Sequence, residues 1–366
     1  MTKFYRRINR YVPLPSMIIF LIGIITGGIY LGCIRSSGFA DRFNGSVSAA
    51  LRVFLAHLTG WIPFSLAEFL LLVSPVLLIV VIVCVVRYAG RGKRYFIRAL
   101  IGLLSVAVLV YSMFILVFGA GYRTTSIDKK LGIDREKVTV EELEKTMILV
   151  IGHLNDLADE VMVMENDGSV RPYSHAETVE KCLDSYSKLS GEYDFLTKLD
   201  APVKEIVLSD YMTYTHISGV YTFLTGEANL NTNYPYYVNV YTTAHEMAHQ
   251  RGIARENEAN FMAFLVCTNS DDPFMQYAGY LNMYEYLYSA LSASENRGAI
   301  RDLLDIRVRY DLYCYSLFFD KYRDNTAATV SNTMNNTYLV MQGTEGAKSY
   351  GLVVDLAVAY YRDQIN

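Results

Sequence analysis

Histidine is scarce in this chain, with six in 366 residues, and tryptophan is scarcer, with Trp61 alone. The five cysteines (Cys33, Cys84, Cys182, Cys267 and Cys314) are odd in number and far apart, and no two form a C-x-x-C pair. That spacing excludes a disulfide framework and a thiolate zinc site. It leaves an extracytoplasmic location open, because a domain of this size is stable without disulfides. Charged residues make up only 19% and the net charge is −4. Without clustered Lys and Arg in the polar part of the chain, a nucleic-acid partner is excluded. What is abundant is apolar: 52% of residues, crowded into the first third, the composition of membrane segments followed by a water-facing domain. The 30 tyrosines read as packing side chains with a hydrogen-bonded tip.

Three apolar runs, at about residues 11–34, 69–87 and 99–120, have or approach the length that crosses the hydrocarbon core of a bilayer. The first follows Lys3, Arg6, Arg7 and Arg10. It is too long for a signal-peptide core, and the sequence near Cys33 has no small-x-small cleavage site. Basic residues set the expected orientation. The N-terminus carries four, and the connection between the second and third runs carries Arg87, Arg91, Lys93, Arg94 and Arg98. The longer first connection has only Arg35, Arg42 and Arg52. This predicts a multi-pass cell-membrane protein with its N-terminus inside and everything after Tyr122 outside. Trp61 and Tyr122 fall near the outer ends of runs two and three, where amphipathic rings prefer the interface.

Residues 1–122 therefore form a membrane domain and residues 123–366 a polar domain. In the polar domain Thr139 and Glu142 predict a capping box, and Leu143, Met147, Val150, Leu154 and Leu157 follow at helical spacing. A second helix is expected over residues 176–189, with His175 in the preceding loop after a polar turn at residues 166–169. Residues 217–223 read as a strand and residues 225–229 as a turn. Residues 236–241 are rich in strand formers and read as partly extended. Residues 274–291, 300–322 and 351–361 read as helices, and residues 325–336 as a polar loop.

The chemistry concentrates in His245-Glu246-Met247-Ala248-His249. Residues four apart share a helix face, so His245 and His249 can aim two imidazoles at one ion, with Glu246 beside them to deprotonate a metal-activated water. The motif helix is expected to start near Thr242 or Thr243 and to end at Gly252, with a second helix from about residue 253 to Thr268. Position 255 is Arg, which excludes the pattern with a third histidine there. Two carboxylates remain. Glu258 shares its helix face with Phe261, Met262 and Leu265, and an inward carboxylate is costly unless paired or bound to metal. Glu256 shares a more polar face with Asn260 and Ala263. Glu258 is therefore the expected third ligand of Zn²⁺, and Glu256 the alternative. Arg255 is a candidate to orient the ligating carboxylate. His216 is a weaker candidate ligand, His153 reads as structural, and Tyr277 and Tyr280 are candidate donors to a developing oxyanion.

The segment from His245 through Arg255-Glu256-Asn257-Glu258-Ala259-Asn260-Phe261 resembles the signature of the DUF3810 family, uncharacterised bacterial membrane proteins with an H-E-x-x-H motif. The resemblance extends to the three apolar runs, to Phe223-Leu224-Thr225-Gly226-Glu227-Ala228-Asn229, to Tyr280-Leu281 and to Ser349-Tyr350-Gly351. Glu258-Ala259-Asn260 is also similar to the segment that supplies the third zinc ligand in the ImmA/IrrE metallopeptidases, which favours Glu258 by analogy. The expected fold is mainly α, with three transmembrane helices followed by a mostly helical, zincin-like extracytoplasmic domain with a small β element. The expected activity is zinc-dependent peptide hydrolysis at the membrane, with a peptide or protein substrate lying along residues 236–241 as an added strand. The alternative is a zinc-binding, non-catalytic sensor or interaction domain at the cell envelope.

Overall fold

A computed structural model describes residues 9–161, 164–165, 168–323 and 325–365. Lys3, Arg6 and Arg7 of the basic start, and Asn166 and Asp167 of the polar turn, lie outside the described residues. The chain is mainly helical. Helix α1 (Leu14–Arg35) starts behind Pro13 and is followed by α2 (Ser37–Phe43), a π-helical segment (Asn44–Ser48) and α3 (Ala49–Gly60). Next come α4 (Leu66–Ala89) and α5 (Lys93–Val117). Helices α1, α4 and α5 are long and apolar enough to cross a membrane. Helix α5 packs along α1 through buried hydroxyl pairs, Ser16 with Ser105 at 3.2 Å and Thr26 with Ser112 at 3.0 Å. No residue of α4 is buried. An apolar helix that packs along α5 but leaves all its residues partly exposed suits a lipid environment. At one end of these helices, Arg94 and Arg98 donate to the carbonyls of Arg10 and Asn9, each at 2.8 Å. The opposite end meets the polar domain.

A 3₁₀ turn (Gly119–Arg123) leads into that domain: α6 (Ile127–Leu131), α7 (Val140–Val161), a short hairpin of β1 (Met164–Glu165) and β2 (Gly168–Ser169), and α8 (His175–Glu192). Next come β3 (Val203–Glu205), α9 (Ser209–Thr213), β4 (Gly219–Thr222) and β5 (Glu227–Leu230). Helices α10 (Tyr236–Gln250), α11 (Glu256–Thr268) and α12 (Pro273–Ala290) form the centre. The chain closes with α13 (Arg297–Asp302), α14 (Ile306–Asp320), α15 (Thr326–Met341) and α16 (Val353–Ile365). The core is one cluster in which Met147 and Leu154 of α7, Phe261 and Phe264 of α11, Leu281 and Leu287 of α12 and Leu356 of α16 are all buried. Each such side chain contributes about 1.5–3 kcal/mol relative to exposure.

The capping box at Thr139 and Glu142 is present, with the Thr139 N–H donating to Glu142 at 2.8 Å. A second box, Ser174 with Glu177, starts α8 and makes His175 its first residue instead of a loop residue. The helix expected over residues 300–322 is split into α13 and α14, and two further stretches are helical against expectation. Residues 236–241 are the first turns of α10, not an extended segment. Residues 237–241 are all buried, so the helix is enclosed on every side, and tertiary packing overrides their strand preference. The stretch read as a polar loop near Asn325 is α15. Asn325 caps it by accepting from the Ala328 N–H at 2.8 Å. Thr333 and Thr337 turn their hydroxyls back onto the carbonyls of Thr329 and Thr333, so polar side chains are absorbed within the helix.

The small sheet has the order β3-β5-β4, with β5 parallel to β3 and antiparallel to β4. Residues 225–226 make the expected turn, but Glu227 to Asn229 belong to β5. A buried ion pair fastens the sheet to the apolar helices. Lys204 meets Glu227 at 3.1 Å and donates to the carbonyls of Thr59 and Ile62, while Glu227 accepts from the N–H groups of Leu66 and Ala67 at the start of α4.

Candidate metal centre

Helix α10 carries His245, Glu246 and His249, and α11 begins at Glu256. Between them the chain reverses over residues 251–255. The Ile253 N–H bonds the Ala248 carbonyl at 3.1 Å and the Gly252 N–H bonds the His249 carbonyl at 2.9 Å. Gly252 has φ of 92°, a left-handed conformation that favours glycine. A side chain there would also run into the Arg52 guanidinium. This reversal places the first residue of α11 against the histidines of α10. The Glu256 Oε2 is 3.3 Å from the His245 Nε2 and 3.5 Å from the His249 Nε2. One donor atom from each of His245, His249 and Glu256 lies within 4.8 Å of the others, a spacing that fits a metal ion.

Glu258, the expected third ligand, is not brought to the imidazoles. Its Oε1 accepts from the Ile127 N–H at 3.1 Å and from Arg255, whose guanidinium also reaches the carbonyls of Tyr122 and Thr124. Burial was rightly read for Glu258, but the partner is Arg255. Asn257, Asn260 and Ala263 are as buried as Phe261 and Met262, so α11 has no polar face, and apolar-face reasoning could not separate the two carboxylates. At 3.6 residues per turn, positions 256 and 258 point to nearly opposite sides. The side facing α10 belongs to Glu256.

The electrostatics match this placement. Burial opposes ionisation of Glu256, yet the two imidazoles outweigh it and hold the carboxyl well below the usual range. Burial pulls His249 down, but Glu256, through charge and hydrogen bond, together with Glu246, raises it to about 9. The His249 Nδ1 sits 2.7 Å from the Ile253 carbonyl. That contact fixes Nδ1 as donor and leaves Nε2 for the cluster. The Glu246 carboxyl is raised by burial, against the pull of His245 and His249. A carboxyl raised toward neutrality is suited to moving a proton.

Strand β4 lies directly on Glu246. A Cβ at Gly219 would come within 2.7 Å of the Glu246 Oε1 and within 2.6 Å of Thr242, and the Tyr221 backbone N–H donates to the carboxylate. Among the described residues, the His245 Nδ1 and the Glu246 Oε2 are buried without a hydrogen-bond partner. The His245, His249 and Glu256 side chains retain 12%, 8% and 12% exposure, so the cluster is almost enclosed.

The segments flanking the apolar helices build the floor of the site. Arg52 of α3 is fully buried. It donates to Asn44 Oδ1 and to the carbonyls of Val117 and Asn44, each at 2.9 Å, and to the Arg251 carbonyl at 3.3 Å. Asn44 returns a hydrogen bond to the Gly252 carbonyl. Phe118, one residue past α5, meets the His249 ring edge to face at 5.7 Å. Tyr338 of α15 packs on Phe114 and Tyr122. In the sequence these residues carry no motif; only Arg52, a charge between two apolar runs, stands out.

The remaining candidates lie elsewhere. His216 bonds the Tyr322 carbonyl at 2.6 Å, and His153 stacks on Tyr280 at 4.5 Å. The Tyr277 hydroxyl donates to Asp311 at 2.8 Å, and Tyr280 packs on Phe264. Neither tyrosine faces the cluster.

Three apolar helices near the N-terminus, a mainly helical body and an H-E-x-x-H helix joined by a tight turn to a second carboxylate, Glu256, define the class of architecture. The chain belongs to the DUF3810 family, described as a protein family of unknown function, whose model matches residues 43–358. No curated protein matches the chain, and no solved structure matches it.

Proposed function

We propose that this protein is a membrane-anchored zinc metallopeptidase with His245, His249 and Glu256 as zinc ligands. The observation that carries the reading is the convergence of these three donors beside Glu246, a carboxylate that a purely structural site would not need. The donor set fits zinc: two imidazole nitrogens and one carboxylate oxygen leave a fourth position open. Zinc held there supplies Lewis acidity toward water and a peptide carbonyl.

This chain's residues do the rest. The Ile253 carbonyl orients the His249 ring. Glu246, buried under β4, takes a proton from water at the cluster and returns it to the leaving amine. The outer edge of β4, which pairs with no strand among the described residues, offers backbone groups for an extended peptide, the role expected of residues 236–241. We place the polar domain outside the cell, on the strength of the basic residues between the second and third apolar helices.

The test is metal analysis of the purified full chain with peptide-library cleavage read by mass spectrometry. The expected result is about one zinc per chain and cleavage that falls by roughly 10²–10⁴-fold in Glu246→Gln with zinc retained. Zinc without turnover, unaffected by Glu246→Gln, would support the sensor alternative instead. A cysteine introduced on the polar surface is expected to label from outside intact cells, and labelling only after lysis would reverse the orientation.

A further inference from the structure

Strand β4 runs alongside the end of α5, in the opposite direction. Phe223, just past β4, meets Phe114 at 5.4 Å between ring centroids, and Tyr221 meets Phe118 at 5.2 Å. The step from Phe114 to Phe118 is four helical residues, about 6 Å. The step from Phe223 to Tyr221 is two strand residues, about 6.6 Å. The two contacts advance together, so the chain from Phe223 back to Tyr221 follows the end of α5, and Tyr221 stands level with the first residue beyond that end. Glu246 touches β4 at Gly219 and Tyr221, and His249 touches Phe118. The candidate catalytic centre therefore lies within about 7 Å, two strand residues, of the end of an apolar helix long enough to cross a membrane.

The outer edge of β4 faces away from β5, and the Tyr221 N–H on it turns to Glu246. The Asn231 N–H bonds the Ser218 carbonyl at 2.8 Å, and Val220 pairs opposite Asn229. Residues 218, 220 and 222 thus direct their backbone groups at β5, while Gly219 and Tyr221 direct theirs outward over Glu246. Among the described residues no strand pairs with that edge. An extended chain of about six residues laid along it, centred on Glu246, is about 20 Å long. One of its ends reaches the level of Phe114, inside α5. Exposed apolar side chains also lie near the start of α4. Val207 and Tyr211 are 79% and 73% exposed, and the N–H groups of Val207 and Leu208 bond Glu68 in the first turn of α4.

Resting on the peptidase reading and on α1, α4 and α5 as membrane spans, we propose that the substrate is a membrane-anchored polypeptide. It binds extended along the outer edge of β4 and is cut within about five residues of where it leaves the bilayer. A peptide bond breaks, water supplies hydroxyl to the new carboxylate and hydrogen to the new amine, and one fragment stays in the membrane.

The experiment uses the zinc-loaded full chain in lipid nanodiscs, with a substrate made of one apolar helix of about twenty residues and an extended tail. Mass spectrometry locates the cut. The expected result is cleavage in the first few tail residues, at a position that keeps its distance from the anchor when a Gly-Ser spacer is inserted. The same tail without its anchor is expected to be cut at least about tenfold more slowly. A cut that travels with the tail sequence across the spacer, or equal rates for free and anchored tails, overturns the proposal. A second readout needs no activity: Val220→Trp in a Trp61→Phe background, with lipids brominated at known depths. Quenching near the headgroups is expected, and emission untouched by every brominated lipid overturns the placement. If Val220→Trp is quenched but no chain is ever cleaved, the peptidase reading fails and this substrate class fails with it. If soluble peptides are cleaved and Val220→Trp is not quenched, the substrate class fails alone.

Discussion

Arg52 is the residue on which the ligand-bearing turn rests, and replacing it with Met isolates that role. The Met side chain keeps most of the volume but removes the charge and the donors to Asn44, Val117 and Arg251. Hydrogen bonds from a charged donor contribute about 1.5–3 kcal/mol each. They are not additive, and deleting a buried charge returns part of its desolvation cost. Burial already pulls Arg52 down to about 10, so it is charged at neutral pH. The net loss is expected at about 3–5 kcal/mol, or roughly 10 °C in melting temperature for a body of this size. The carbonyls of Arg251 and Gly252 belong to the reversal that sets Glu256 against His245 and His249, so zinc affinity should fall as well, by about 10–100-fold. Melting curves in detergent, with and without chelator, and a competitive zinc titration measure both effects. An Arg52→Met protein with unchanged melting temperature and zinc affinity within about twofold would refute the claim that this segment between the first and second apolar helices builds the site.

Glu256→Gln is expected to weaken zinc binding by about 100-fold or more, while Glu258→Gln, which loses its pairing with Arg255, lowers stability by about 3–5 kcal/mol with less effect on zinc; competitive titration and melting curves separate the two. Gly219→Ala should cut turnover by about 10²-fold with zinc retained, because its Cβ displaces the Glu246 carboxylate; steady-state kinetics beside metal analysis check this. Half-buried Glu285 is raised by burial to about 7. Its folded value lies above its unfolded one, so its contribution favours folding below about pH 4.5 and is lost as pH rises through about 7. Glu285→Gln should therefore stabilise at pH 8 by at most about 3 kcal/mol, less after solvent screening, and change little at pH 4; melting curves across pH test the sign.

Periodicity and motif carry local information, and the elements they define were legible: the three apolar helices, the capping box at Thr139, the H-E-x-x-H helix and its stop at Gly252. Which carboxylate meets the two histidines was not. Choosing between Glu256 and Glu258 required knowing which side of α11 faces α10. That helix is buried all round, so its pattern has no period to read. Residues 237–241 failed for the same reason, since a helix enclosed by protein can hold Val and Tyr that read as strand. In α15 the threonines bond their own backbone, and composition alone made the segment look like a loop. The contribution of residues 37–60 was invisible because it depends on one long-range set of bonds from Arg52 to a turn about 200 residues away.

The central claim is a zinc centre made by His245, His249 and Glu256, and X-ray absorption at the zinc edge on the purified full chain addresses it most directly. The expected spectrum shows about one zinc per chain with two imidazole nitrogens and oxygen ligands at about 2.0–2.1 Å, altered in Glu256→Gln and unchanged in Glu258→Gln. A protein that retains no zinc, or a spectrum with sulfur at about 2.3 Å, would contradict it.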